Sequence, residues 1–348
     1  MNFPNEPFFR RLVDLANGHS RVIISDGFSG IRITYGELLS RVLRFQQDLQ
    51  QQLPPATLDN NKVLREPLCV GILATVSVEF VVALLAILSI GGIVVPLCKS
   101  QFAFSSLDGN LPANSAPQQR PIPLIQRREA ILIFTSGTTG QQKGVLHSRE
   151  FFNAKVEAEP IGTDSECLLF ARMSILVVSI RVMVRMLLRG VRIELWPYLY
   201  DPDMIWERLR KGGITALDLL PTMWRNMMLA YRQRISQLPS AEQEKYCAGA
   251  RQLRDVACGG QPMLQDVKLF WQKMLDGRCV TIIYGATEAG NSLLRAVGED
   301  SLVEATRSAF DQDGFFRTGD IVRYNGSEYV FEGRASCDCK YMHRECVS

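Results

Sequence analysis

Hydrophobic positions along the chain change their period repeatedly, and each change predicts an element. Arg21 to Ser25 and Arg32 to Thr34 read as short strands around an Asp26-Gly27 turn. Thr34 followed by Glu37 forms a capping box that starts a helix running through Leu49. Gln50 to Asn61 is a polar, proline-containing loop, and Cys69 to Leu73 is a strand. The apolar run from Phe80 to Ile90 predicts a buried helix. Gly91-Gly92 stops it, and Ile93 to Val95 before Pro96 is a buried strand. Ser100 to Pro123 is rich in Ser, Asn, Pro and Gln with no period, hence a loop. Ala130 to Phe134 is a buried strand that feeds a glycine-rich loop. Arg181, Arg185 and Arg189 recur at helical spacing among Val, Met and Leu. They predict an amphipathic helix with a basic stripe, read as a solvated face, the alternative being a face that contacts an anion. Arg192 to Leu195, Ala216 to Leu219 and Val280 to Ile283 read as strands, with a helix from Pro202 to Lys211 between the first two. This alternation implies an α/β fold with mixed, mostly parallel sheets flanked by helices.

Composition narrows the function classes. The 348 residues are 47% hydrophobic and 22% charged, enough to bury a sizeable core. The net charge of +3 is spread along the chain and makes no case for nucleic acid as a partner. Val70 to Leu97 carries a single charge, Glu79, yet its apolar run is about half of the roughly 20 residues a span needs, so no transmembrane segment is expected. Nine cysteines are scattered apart from three near the end. Met1 to Phe9 is polar and proline-broken, unlike a secretory signal, and no peroxisomal ending of the Ser-Lys-Leu type is present. Reduced thiols and a cytoplasmic location are therefore expected.

The strongest chemical signal is the segment Ile131 to Val145, where a buried strand runs into hydroxyl residues, glycines and a lysine. Gly137, Gly140 and Gly144 let backbone N–H groups approach phosphate oxygens. Thr135, Ser136, Thr138 and Thr139 add hydroxyl donors, and Lys143 adds a positive charge suited to a polyphosphate. The spacing excludes a Walker A loop: two residues separate Gly137 from Gly140, and Gly144 rather than Ser or Thr follows Lys143. His19 and His147 are isolated. His147 lies just past the loop and is as compatible with a structural role as with a functional one.

Phe134 to Val145 resembles the phosphate-binding signature of the adenylate-forming superfamily, which includes acyl-CoA synthetases, luciferases and peptide-synthetase adenylation domains. Further segments resemble the family's motifs in its order: Gly259-Gly260-Gln261-Pro262, Tyr284-Gly285-Ala286-Thr287-Glu288, Arg317-Thr318-Gly319-Asp320 and Gly333-Arg334, then a hinge aspartate at Asp338. The resemblance implies a large N-terminal adenylation domain over residues 1–338 and a reaction that uses ATP, Mg2+ and coenzyme A on a small carboxylic acid. It implies that Gly259 and Gly260 line the adenine pocket, that Tyr284 of Tyr284-Gly285 stacks on the base, and that Thr287 contacts the α-phosphate. Glu288 would ligate Mg2+, Asp320 would hold the ribose hydroxyls, and Arg334 would reach ribose or phosphate. Thr138, Lys143 and Glu288 would carry catalysis, while Thr135, Ser136, Gly137, Thr139 and Gly140 would cradle the nucleotide. An aromatic face suits a purine and a hard carboxylate suits magnesium beside phosphate. Glu304 to Asp320 is similar to the acyl-CoA synthetase version, and Gly333 to Asp338 is similar to the malonyl-CoA synthetase branch.

Four departures shape the functional expectation. The stretches near 98–130 and 289–316 are shorter than the family's, and Leu169 to Ser174 replaces a Pro-Leu-x-His-x-x-Gly motif that faces the acyl substrate. Past Asp338 the family pattern gives way to a tail, residues 339–348, read as disordered and without the small mobile C-terminal domain. Cys337, Cys339, His343 and Cys346 make a zinc site conceivable, at a spacing that matches no standard signature. The expectation is an acyl-CoA ligase with weak turnover, the alternative being a non-catalytic nucleotide-binding remnant.

Overall fold

A computed structural model of the chain describes residues 3–27, 29–74, 77–97, 128–135, 143–158, 166–170, 176–196, 200–259, 263–283, 287, 320–324, 329–334, 340–342 and 345–347. In chain order the elements are α1 (Pro7–Gly18), β1 (Val22–Asp26), β2 (Arg32–Thr34), α2 (Tyr35–Gln52), β3 (Cys69–Ile72), α3 (Val78–Ser89), β4 (Ile93–Pro96), β5 (Glu129–Thr135), β6 (Lys143–Ser148), α4 (Glu150–Ala158), β7 (Glu166–Phe170), α5 (Leu176–Arg189) and β8 (Arg192–Trp196). They continue with α6 (Pro202–Arg210), β9 (Ala216–Asp218), α7 (Pro221–Gln233), α8 (Ser240–Arg251), β10 (Asp255–Gly259), α9 (Gln265–Met274), β11 (Thr281–Ile283), β12 (Asp320–Tyr324), β13 (Tyr329–Arg334), β14 (Lys340–Met342) and β15 (Glu345–Val347). The chain divides into two compact units: Met1–Ile133 with Leu146–Ile283, and Phe134–Val145 with Tyr284–Ser348.

A seven-stranded sheet in the order β11-β10-β9-β7-β8-β1-β2 organises the first unit. Its described pairs are parallel apart from the β1–β2 pair, whose tight connection at Asp26 enforces an antiparallel return. Alternate residues of the strands feed two separate apolar cores. Ile193, Leu195 and Ala216 join one with α1 to α5, whereas Leu217, Val256 and Cys258 join the other with α6 to α9. Helices thus cover both faces, the arrangement that parallel strands require. The second core centres on three fully buried tryptophans: Trp271 stacks on Trp206 at 5.6 Å and meets Trp224 edge-on at 4.6 Å. A four-stranded sheet, β3-β4-β5-β6, carries the glycine-rich segment between its last two strands.

Most local expectations hold. The Thr34 box forms from both sides: Thr34 N donates to Glu37 Oε2 at 2.7 Å, and Glu37 N donates to Thr34 Oγ1 at 3.2 Å. The helix it opens continues to Gln52 rather than stopping at Leu49, because Gln50 Nε2 reaches the Lys62 carbonyl at 2.8 Å and holds the last turn. Ser77 caps α3, which is buried nearly all round, and Gly91 at φ +78° ends it with N–H bonds back to Leu88. No helix among the described residues is long and apolar enough to cross a membrane.

Two expectations are corrected. The arginines of α5 do not form a solvated face. Arg181 pairs with Asp218 at 3.5 Å, and Arg185 and Arg189 both reach Asp255 at 3.2 and 3.0 Å. The cause is strand register: Ala216 lies opposite Asp255 and Asp218 opposite Ala257, so β9 and β10 present small and acidic residues together on one face. The anions these arginines meet are the protein's own. In the second unit, the segment expected to be disordered contains an antiparallel pair, β14 with β15, Tyr341 opposite Cys346. Ser100 to Pro123, Ala171 to Ser174, residues 289–316, Asp338 and the conceived zinc ligands Cys337, Cys339 and His343 lie outside the described residues.

Candidate functional site

Two strands flank the glycine-rich segment. β5 ends at Thr135 and its sheet neighbour β6 begins at Lys143. The connection, residues 136–142, is shorter than the dozen or so residues a parallel crossover needs, so β6 returns antiparallel to β5. Arg149 N donates to the Arg128 carbonyl at 2.8 Å and closes the base of this hairpin. No helix follows the loop directly, as one would in a Walker A or dinucleotide-binding turn.

The strand ends that precede two other motifs are adjacent in the large sheet. Gly259, the last residue of β10, lies opposite Ile283, the last residue of β11. Ligands of open α/β sheets gather beyond the carboxyl ends of such strands. Gly259 is a glycine for a steric reason: a Cβ there would stand 2.9 Å from the Ile283 carbonyl oxygen. Its neighbour Cys258 is buried, and burial together with the Asp218 charge pushes its thiol up to about 12, which makes it inert rather than nucleophilic. Asp218 itself is raised by burial, which outweighs the nearby Arg181 and Arg185. His147 packs its ring on Phe151 at 5.0 Å, in keeping with the structural reading.

The second compact unit contains Phe134–Val145 and everything from Tyr284 onward. Thr135, Ser136, Gly137, Thr138, Thr139, Gly140, Lys143, Tyr284, Gly285, Thr287, Glu288, Asp320 and Arg334 all belong to these two stretches, whereas Gly259 and Gly260 belong to the first unit. Within the second unit β12 and β13 pair antiparallel with Asp320 directly opposite Arg334. The two residues expected at the ribose therefore sit across one rung, with Cα atoms about 5 Å apart. Thr287 is half-buried. Ser136, Gly137, Thr138, Thr139, Gly140, Gly260, Tyr284, Gly285 and Glu288 lie outside the described residues. Among the described residues no cluster of His, Cys, Asp or Glu could hold a metal ion, and the expected Mg2+ ligand, Glu288, is not among them.

Sequence reasoning missed a buried polar cluster at the hairpin base. Arg149, 2% exposed, donates through Nε to Glu6 Oε1 at 2.7 Å and through Nη2 to the Leu88 carbonyl at 2.9 Å. Asn153 Nδ2 reaches Glu6 Oε2 at 3.2 Å, and its Oδ1 accepts from Phe8 N at 3.2 Å. Arg128 Nη2 donates to the Leu64 carbonyl at 2.7 Å, and burial with Arg149 nearby lowers its pKa. The partners lie up to 147 residues apart, so no local pattern announces them.

The fold is that of the N-terminal domain of adenylate-forming enzymes. The structure matches a luciferase-like enzyme from the nonluminescent mealworm Zophobas morio with a TM-score of 0.69 at 18% identity, covering 96% of both chains. It matches apo MatB from Rhodopseudomonas palustris with a TM-score of 0.68 at 19% identity, over 94% of this chain and 78% of the other. The AMP-binding enzyme family matches residues 100–308, and the chain belongs to that family. Among curated relatives, the acyl-CoA ligase oryP of Aspergillus oryzae is 30% identical over 97% of this chain and 74% of its own length. A malonate–CoA ligase of Arabidopsis thaliana is 25% identical over 60% of this chain, a match that spans 43% of the plant protein.

Proposed function

We propose that this chain is the nucleotide-binding part of an ATP-dependent carboxylic acid–CoA ligase that first forms an acyl-adenylate. The observation that carries the reading is the composition of the second compact unit, where Phe134–Val145 and the segments bearing Tyr284, Asp320 and Arg334 belong together. In this reaction the carboxylate attacks the α-phosphate of ATP and pyrophosphate leaves. The thiolate of CoA then displaces AMP from the mixed anhydride. The first step demands neutralisation of developing charge more than covalent help. Thr138, Thr139 and Lys143 supply donors and a cation to the phosphates, and Glu288 would hold Mg2+ against them. Gly259 and Gly260 line the base pocket, Tyr284 stacks on adenine, Thr287 contacts the α-phosphate, and Asp320 with Arg334 holds the ribose. The unpaired buried thiols of Cys247 and Cys258 fit a reducing compartment, in support of a cytoplasmic location.

A second reading, nucleotide binding with little or no turnover, has its own support. The alignment with oryP runs over 415 positions, more than the 348 residues of this chain, so it needs gaps inside it. We place them near 98–130 and 289–316. One experiment separates the readings: calorimetry with ATP, then pyrophosphate release with a panel of small carboxylic acids and CoA. Release above a Lys143→Ala control supports the ligase. ATP binding without release above that control supports the second reading, and absence of heat with ATP removes both.

A further inference from the structure

The helices around the second core meet solvent in two different ways. On α6 and α8 cations are neutralised in place: Arg210 pairs with Glu207 at 2.8 Å, Lys245 with Glu242 at 2.6 Å and Arg251 with Glu244 at 2.5 Å. On α7 and α9 the exposed Arg225, Arg232, Lys268 and Lys273 have no carboxylate partner among the described residues. One carboxylate, Asp266, stands in the first turn of α9, where the helix N-terminus favours it. The same helices present Leu264 and Leu269, 58% and 55% exposed, the two most exposed large hydrophobic side chains described. One exposed leucine is ordinary; two set among unneutralised cations are a feature to explain. Spacing and packing join these groups. Arg225 and Arg232 are about two helical turns apart and share a side of α7, and Leu269 and Lys273, about one turn apart, share a side of α9. The helices touch along their length: Trp271 Nε1 donates to the Trp224 carbonyl at 3.0 Å, the Tyr231 and Phe270 rings meet at 5.5 Å, and the Arg232 guanidinium lies over the Phe270 ring at 5.7 Å.

We propose that the α7–α9 face docks reversibly on an anionic lipid surface, with its arginines and lysines at headgroup phosphates and Leu264 and Leu269 entering the interfacial layer. Charge complementarity selects this occupant. An anionic leaflet attracts each nearby Lys or Arg, and apolar side chains among those cations add burial at the headgroup boundary. A protein partner asks for something else. Its interface is centred on exposed aromatic anchors and is poor in lysine. Here the apolar groups are leucines, and the aromatic residue of the seam, Phe270, is half-buried beneath Arg232. The whole face belongs to the first compact unit, and the proposal is independent of the nucleotide-binding reading.

The test is co-sedimentation of the full chain with vesicles of phosphatidylcholine alone and of phosphatidylcholine with phosphatidylserine, at low and at high salt. The chain is expected to pellet with the anionic vesicles, to stay free of the neutral ones, and to release as salt screens the charges. Each cation near such a leaflet is worth about fivefold in partitioning, so Arg225→Gln/Arg232→Gln should weaken binding about tenfold or more. Leu269→Ser should weaken it about threefold, through lost apolar burial. Lys245→Gln/Arg251→Gln is the control: it removes the same net charge from α8, where the cations are already paired, and should leave binding unchanged. The substituted side chains are largely solvent-exposed, and urea unfolding checks that every variant is folded. A folded wild type that ignores anionic vesicles overturns the proposal. So does an equal loss in the α8 control, which would make net charge the only cause, or full binding by Leu269→Ser. Binding to soluble polyglutamate without binding to vesicles would assign the face to an acidic protein instead. Self-association that Leu269→Ser abolishes, again without vesicle binding, would assign it to a second copy of the chain.

Discussion

Replacing Gly259 by alanine adds one methyl group where β10 meets β11. The ideal Cβ would lie 2.9 Å from the Ile283 carbonyl oxygen, and ordinary contact begins near 3.4 Å, so the strands must part by roughly half an ångström. Gly259 has no positive φ, so backbone strain adds nothing and the cost is steric. The opposing atom is main chain in a parallel ladder and cannot swing aside as a side-chain end would. β11 is three residues long, ends the described sheet order, and has Thr281 and Ile282 exposed, so it is the element that yields. Overpacking of this kind costs about 1–3 kcal/mol, and the yielding edge strand places the expected loss near the lower end. Ile283 is covalently joined to Tyr284, so AMP affinity should suffer more than stability does. Urea unfolding and calorimetric AMP binding would measure the two effects. Gly18→Ala serves as the control, because a Cβ there meets nothing within 4 Å. If Gly259→Ala matches Gly18→Ala in urea midpoint and the wild type in AMP affinity, the steric account is wrong.

Two further predictions concern the first unit. At Gly249 in α8 a Cβ would fall 2.0 Å from the Leu209 carbonyl of α6, so Gly249→Ala should separate these helices and cost about 3 kcal/mol or more by urea unfolding; an unchanged midpoint would refute the close helix approach. Asp218 is raised by burial despite Arg181 and Arg185, with Asp255 adding to the rise, so the folded state binds its proton more tightly than the unfolded chain. Its contribution is therefore favourable at low pH and is lost as pH climbs from about 4, its unfolded value, through the raised folded one. The melting temperature of Asp218→Asn minus that of the wild type should increase across that window, and a flat or falling difference would contradict the assignment.

Much of this was legible in the sequence because it is local. The Thr34–Glu37 box, the apolar run of α3 with its Gly91 stop, and the strand ending at Thr135 each depend on residues a few positions apart. The α5 stripe was misjudged because its partners are distant: Arg181 meets Asp218 across 37 positions and Arg185 meets Asp255 across 70. A row of arginines at helical spacing looks the same whether water or a row of aspartates faces it. Only the pairing of β9 with β10 decides, and that register is set by tertiary packing. The buried polar cluster was hidden for the same reason, since Glu6 and Arg149 are ordinary charged residues until the fold buries them together.

Gly259 shows why motif resemblance and structure must be weighed separately. The resemblance gives this glycine a place beside adenine, while the structure gives it an independent steric reason through the Ile283 carbonyl. A glycine required by β-sheet packing would be kept in a chain that binds nothing, so Gly259 by itself is weak support for nucleotide binding. Lys143 is different: it opens β6, a strand whose neighbouring Gly144 and Leu146 are exposed. A Lys143→Ala chain should therefore keep its urea midpoint within about 0.5 kcal/mol of the wild type, the usual bound for a substitution outside a packed core, while its ATP affinity falls. Loss of stability in step with affinity would move Lys143 from the site into the scaffold.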